Sequence, residues 1–224
     1  MKVFGNVNGC ARALVLDIDN TIYVRTDEYF AAGSELEMQE VCRILGHPVD
    51  EMEKIVETRR AEIAEREGRK AVLTETLYSL GITSEQWSDI RLYAWRPEEW
   101  VTKDREMCSA LARLSNRYLV AFGTNNGIEI GRRTLQAIGF TEPEYDLHLF
   151  GPENLGVSKP EVAFFSRIAC LLNTLPHKCV SIGDREVSDG PPAIEAGYGG
   201  AIIVHGSRDE TLEVINRLLS GKQI

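Results

Sequence analysis

The sequence predicts an α/β fold: a parallel sheet with helices on both faces and a helical bundle inserted near its start. Short apolar runs that end in polar residues, such as Ala13-Leu14-Val15-Leu16-Asp17, read as buried parallel strands. From residue 101 onward such runs alternate with stretches of helical periodicity, which implies right-handed crossovers within one sheet. Between the first two runs, residues 22–97 show little strand character.

The elements follow in chain order. The first strand ends at two carboxylates, Asp17 and Asp19. Asp27–Leu45 has helical spacing and stops at Gly46-His47-Pro48. Residues 49–67 are charged and helical up to Gly68, and residues 72–80 form a third helix stopped by Gly81. A fourth helix, 84–95, takes Ser84 as its N-cap, and Arg96-Pro97 breaks the pattern. These four amphipathic helices can pack on one another as a bundle. Beyond them a helix is expected from Val101 to about Asn116, a strand at 118–122 and a helix from Gly127 to Gly139. A short strand at 145–150, a helix at 161–172 and a strand at 179–182 come next. A short helix after Pro191-Pro192, a strand at 201–204 and a helix at 209–219 complete the pattern.

Composition narrows the classes. A length of 224 residues suits one domain, or one domain with a sizeable insertion. With 43% hydrophobic and 26% charged residues the chain reads as an ordinary soluble globular protein. A net charge of −9 without a basic cluster excludes a nucleic-acid footprint. No apolar run approaches the length of a membrane span, and the N-terminus shows no secretory leader pattern. The cysteines, Cys10, Cys42, Cys108, Cys170 and Cys179, are odd in number and lack metal-site spacing, so reduced thiols and a cytoplasmic location are expected. An acidic surface gives anionic ligands no general steering, so any attraction must be local.

Polar residues at strand ends supply the candidate chemistry, because open parallel sheets bind ligands at the carboxyl ends of their strands. Two ionised carboxylates, Asp17 and Asp19, are costly to bury there unless paired, and a divalent cation is the simplest partner. Val120-Ala121-Phe122-Gly123-Thr124-Asn125-Asn126 is a strand ending in a hydroxyl and amides. Val157-Ser158-Lys159-Pro160 delivers a lysine just before a helix. Val180-Ser181-Ile182-Gly183-Asp184 ends in another carboxylate, with Asp189 five residues on. The histidines share no spacing, and the charged run 51–70 reads as a solvated helix face.

Taken together, Asp-x-Asp-x-Thr, a strand-end Thr, Lys-Pro and Gly-Asp-x-x-x-x-Asp, in this order over residues 14–204, resemble the haloacid dehalogenase-like superfamily of phosphohydrolases. The resemblance implies a Rossmann-like catalytic core, residues 1–22 and 101–224, and a helical C1-type cap, residues 23–100, hinged near 23–26 and 96–102. It implies Asp17 as a nucleophile that forms an aspartyl-phosphate, and Asp19 as general acid and base. Thr124, the backbone N–H of Asn125 and Lys159 would bind the phosphoryl group. Mg²⁺ would be held by Asp17, the Asp19 carbonyl, Asp184 and Asp189, with the direct or water-mediated roles of the last two left open. Asp19 points to phosphoryl transfer, because the dehalogenase branch lacks this second Asp.

The implied activity is a Mg²⁺-dependent phosphomonoesterase acting on a small-molecule phosphate ester. The phrase Asp-Ile-Asp-Asn-Thr-Ile-Tyr is similar to the pyrimidine 5′-nucleotidase branch, which leans the substrate toward nucleoside monophosphates. Phosphoglycolate and sugar phosphates stay open. A phosphomutase of the β-phosphoglucomutase type would use the same core residues. A phosphonatase would need a cap lysine, for which only Lys54 and Lys70 are available, and a non-catalytic binding module would have no use for Asp19.

Overall fold

The computed structural model describes residues 1–7, 11–141, 148–222 and 224. Among these described residues six strands form one sheet: β1 (Lys2–Gly5), β2 (Ala13–Leu16), β3 (Leu119–Gly123), β4 (Leu149–Phe150), β5 (Cys179–Gly183) and β6 (Gly200–Ile203). Four helices lie between β2 and residue 96: α1 (Asp27–Leu45), α2 (Val49–Glu67), α3 (Leu73–Ser79) and α4 (Ser84–Ala94). Then come α5 (Pro97–Trp100), α6 (Arg105–Ser115), α7 (Ile128–Ile138), α8 (Pro152–Leu155) and α9 (Val162–Leu171). The last three are α10 (Glu186–Asp189), α11 (Pro191–Glu195) and α12 (Arg208–Ser220).

The sheet order is β1-β6-β5-β2-β3-β4, and every pairing is parallel except the edge pair β1–β6. The chain runs outward from β2 through β3 to β4, then returns to β5 on the other side of β2. The order therefore reverses between β2 and β5, the switch point where open α/β sheets leave a crevice at the carboxyl ends of their strands.

Alternation along the strands builds two cores. On one face Leu14, Leu16, Phe122 and Ile182 pack with Met107, Leu135 and Ile215 from α6, α7 and α12. On the other, Ala13, Val15, Ala121 and Cys179 pack with Phe164, Phe165 and Ile168 of α9. Successive strand side chains point to opposite faces, so a strand covered on both sides is apolar throughout, as β2 is.

The described residues divide into two compact units, residues 1–25 with 97–224 and residues 26–96. The division assigns Tyr23–Arg25 and α5 to the α/β unit; Glu98 of α5 pairs with Arg133 of α7 at 3.1 Å. In the helical unit Val41, Met52, Val56, Leu77, Ile82, Trp87 and Ile90 form a core of their own. Its one deeply buried carboxylate among the described residues, Glu37, accepts from Trp95 Nε1–H and lies 3.4 Å from Arg91 Nε. Burial raises the pKa of Glu37 despite Arg91.

Some details differ from the sequence reading. The cap of α4 is Thr83 rather than Ser84, because Thr83 and Gln86 complete a reciprocal capping box. Asp104 caps α6, which begins at Arg105 instead of Val101. The strand expected at 145–150 is described only as Leu149–Phe150, residues 142–147 lying outside the described set. Edge strand β1 was not expected, since Lys2-Val3-Phe4-Gly5 is short and mostly exposed. No helix among the described residues is long and apolar enough to cross a membrane.

Candidate active site

The sequence-predicted residues sit in loops beyond the carboxyl ends of strands, except Asp189, which closes the short helix α10. Asp17 follows β2, and its N–H donates to the Ile182 carbonyl of β5 at 2.8 Å. Thr124 and Asn125 follow β3, Asp184 follows β5, and Asp189 ends α10. Lys159 lies between α8 and α9, and the Lys159–Pro160 peptide is cis.

Four of these groups meet at the switch point. Lys159 Nζ donates to Asp17 Oδ1 and to Asp189 Oδ1, each at 2.7 Å, and all three side chains are buried. One carboxylate oxygen from each of Asp17, Asp184 and Asp189 lies within 4.8 Å of the others. A cavity of about 110 Å³ is lined by Asp17, Asp19, Asn125, Asn126, Lys159 and Asp184, with Arg25, Arg185, Ser188 and Asp189.

Local structure explains how Asp189 reaches the lysine. A Cβ on Gly183 would lie 2.6 Å from Asp189 Cβ, so only glycine leaves room for that side chain. The second oxygen of Asp189 accepts Arg185 N–H at 3.1 Å, closing the turn of the fourth motif. The Asp184 carboxylate is mostly buried, with Arg185 Nε at 3.9 Å.

Electrostatics favour a bound cation. Burial pushes Asp17 up from 3.8 to about 7, with Asp189 and Asp19 adding to the rise and Lys159 opposing it. Asp184 is also raised, by burial and then by Asp189. Burial works against the Lys159 ammonium, yet Asp17 and Asp189 outweigh it and hold the lysine charged. Three crowded, desolvated carboxylates offer hard oxygen donors, a set that fits a hard divalent ion.

The remaining predicted residues occupy different positions. Asp19 lines the cavity, with Oδ1 accepting Tyr23 O–H and Oδ2 accepting Asn126 Nδ2–H at 2.6 Å. Asn125 grips the lysine loop: its Nδ2 donates to the Lys159 carbonyl at 2.9 Å, and its Oδ1 accepts Lys159 N–H at 2.8 Å. Thr124 is buried and is not among the described residues that line the cavity; its Oγ1 accepts Asn126 N–H at 3.0 Å. Sequence reasoning did not find the contacts of Tyr23, Asn126 and the Asn125 side chain. The one signal for Tyr23 was its place in the first motif, and the other two carried none.

Comparison with known proteins agrees with this architecture. The chain superposes on an HAD phosphatase from Thermococcus onnurineus with a TM-score of 0.59 and 19% identity, covering 95% of this chain and 100% of that one. A 2-haloacid dehalogenase from Pseudomonas syringae pv. Tomato DC3000 gives 0.59 and 17%, covering 93% and 99%. A magnesium-bound HAD hydrolase from Bacillus subtilis gives 0.55 and 16%, covering 92% and 99%. At these identities the likeness establishes the fold, and the first two names show that the fold alone does not select the leaving group. No curated protein matches in sequence. The family model for haloacid dehalogenase-like hydrolases matches residues 11–197, from the first strand through the fourth motif. The chain belongs to the haloacid dehalogenase-like hydrolases.

Proposed function

We propose that this hydrolase is a Mg²⁺-dependent phosphomonoesterase that works through an aspartyl-phosphate on Asp17. The observation that carries the proposal is the Lys159 ammonium seated between Asp17 and Asp189, on a cavity that Asp19 also lines. A nucleophile, a positive charge beside it and a second carboxyl for proton transfer are what phosphoryl transfer to a carboxylate needs.

In the first step Asp17 bonds to phosphorus as the ester P–O bond breaks, and Asp19 gives its proton to the departing oxygen. Water then attacks the phosphorus of the acyl phosphate as the P–O bond to Asp17 breaks; a proton of the water passes to Asp19, the Asp17 carboxylate is restored and inorganic phosphate leaves. Lys159 offsets charge on the phosphoryl oxygens and orients Asp17. In our reading Thr124 and the Asn125 N–H complete the phosphate contacts. Mg²⁺, held by Asp17, the Asp19 carbonyl and Asp184, would supply positive charge between the nucleophile and the phosphate dianion. The contacts of both Asp189 oxygens, with Lys159 and with Arg185 N–H, support Asp184 as the direct ligand and Asp189 as the lysine's anchor.

The α/β unit, residues 1–25 and 97–224, serves as the catalytic core and residues 26–96 as a cap that selects the substrate. The substrate is a small phosphorylated metabolite, and nucleoside monophosphates are the first class to assay. We assign the activity to the cytoplasm; Cys42, Cys108, Cys170 and Cys179 are free thiols.

The test is phosphate release from p-nitrophenyl phosphate, nucleoside monophosphates, phosphoglycolate and sugar phosphates. Turnover is expected with Mg²⁺ and lost with EDTA or in Asp17→Asn. Folded protein that releases phosphate from none of them contradicts the proposal, and conversion that instead requires a bisphosphate primer indicates a mutase.

A further inference from the structure

We propose that Tyr23 and Asn126 are positioning residues for the acid–base carboxyl of Asp19, an inference that rests on the phosphatase reading above. A general acid contributes only when its oxygen faces the departing group within hydrogen-bond reach. A free aspartate side chain rotates about two bonds, and this one is fixed at both oxygens.

The first clamp comes from the turn that follows Asp19. The Ile22 N–H donates to the Ile18 carbonyl at 3.1 Å, closing a single helical turn. Asn20 has φ 56°, a left-handed conformation that asparagine tolerates better than most residues, and its Oδ1 accepts Arg25 N–H at 3.0 Å. Tyr23 thereby returns alongside Asp19, forming a backbone bridge with it, and its ring is buried with Ile18 and Ile22. The phenol O–H then donates to Asp19 Oδ1.

The second clamp comes from the neighbouring strand. Thr124 Oγ1 accepts Asn126 N–H at 3.0 Å and fixes the loop after β3. That places Asn126 Nδ2 at 2.6 Å from Asp19 Oδ2. Donors from two separate segments thus define the plane of one carboxyl. The two are not equivalent. An amide N–H can only donate, whereas a phenol can donate or accept. Oδ2 therefore stays an acceptor held by Asn126, and Oδ1 can carry the transferable proton while Tyr23 O–H turns to suit. The proton moves from Oδ1 to the departing oxygen in the first step and returns from water in the second, so neither Tyr23 nor Asn126 is consumed or changed.

The test compares kcat/KM for phenyl phosphate and p-nitrophenyl phosphate in wild type, Tyr23→Phe and Asn126→Ala. Phenol, with a pKa of about 10 as in tyrosine, needs a proton as it leaves. Nitrophenolate leaves without one. Tyr23→Phe keeps the buried ring, and Asn126→Ala, at a half-buried position on a separate loop, is a second check should the first variant melt early. Each variant is expected to lower kcat/KM for phenyl phosphate about 10-fold more than for p-nitrophenyl phosphate, a part of the roughly 10²–10⁴-fold worth of a general acid. In an Asp19→Asn background the same substitutions should leave the ratio of the two esters unchanged. An equal fall for both esters, or no fall, overturns the positioning role and leaves the phosphatase reading standing. Wild type that hydrolyses neither aryl nor alkyl phosphates overturns both.

Discussion

The Asn125 side-chain amide and the Lys159 backbone exchange two hydrogen bonds, 2.9 Å to the carbonyl and 2.8 Å from the N–H. This clamp joins the loop after β3 to the loop before α9, and so sets where the Lys159 ammonium stands relative to Asp17. Asn125→Ala removes both bonds. It should lower kcat/KM about 10–100-fold, the scale of an ångström-sized misplacement at a reacting centre. Steady-state kinetics on any accepted ester checks this, and a variant with wild-type kinetics would show that the clamp does not position the lysine.

Gly183 and Asp189 make a second prediction. A methyl group on Gly183 would overlap the Asp189 side chain, which is the second anchor of Lys159. Gly183→Ala should destabilise the fold by about 1–3 kcal/mol, as overpacking does, and abolish most activity. Chemical denaturation read alongside turnover would test it; a variant of unchanged stability would mean that the turn relaxes freely.

Asp17 predicts a pH dependence. Its pKa rises from 3.8 to about 7 on folding, mainly through burial. Between those values the folded, metal-free protein binds more protons than the unfolded chain, so stability falls as pH rises. Asp184, raised in the same direction, adds to the slope. Denaturation midpoints in EDTA should therefore drop from about pH 4 to about pH 7, and Asp17→Asn should flatten part of that drop. Adding Mg²⁺ should recover stability in the wild type, because a ligand of the folded state shifts the equilibrium toward it. Identical pH profiles for wild type and Asp17→Asn would contradict this.

The legible parts of the chain were those written locally. Ala13-Leu14-Val15-Leu16 is apolar throughout because β2 is covered on both faces, and its first polar neighbour, Asp17, stands at the strand's end. The same logic reads β3 with Thr124 and β5 with Asp184. Edge strand β1 escaped because four mostly exposed residues carry no period. Ser84 looked like a cap because Ser, taken alone, is as good a cap as Thr; only the pairing of Thr83 with Gln86 separates them. The Asn125 clamp, the Tyr23 and Asn126 contacts to Asp19, and the room that Gly183 leaves for Asp189 depend on loops meeting in space. No spacing rule encodes such meetings. Substrate choice was equally illegible, since the helical unit carries amphipathic periodicity and no chemical motif.

The central claim is that Asp17 carries the phosphoryl group. Its most direct test is mass spectrometry of acid-quenched protein after turnover with Mg²⁺ and an accepted phosphate ester. Asp19→Asn would be used beside wild type to slow hydrolysis of the intermediate. The account predicts a single phosphoryl adduct on the peptide that contains Asp17, enriched in Asp19→Asn and absent from Asp17→Asn. An adduct on any other residue, or continued turnover by Asp17→Asn, would contradict it.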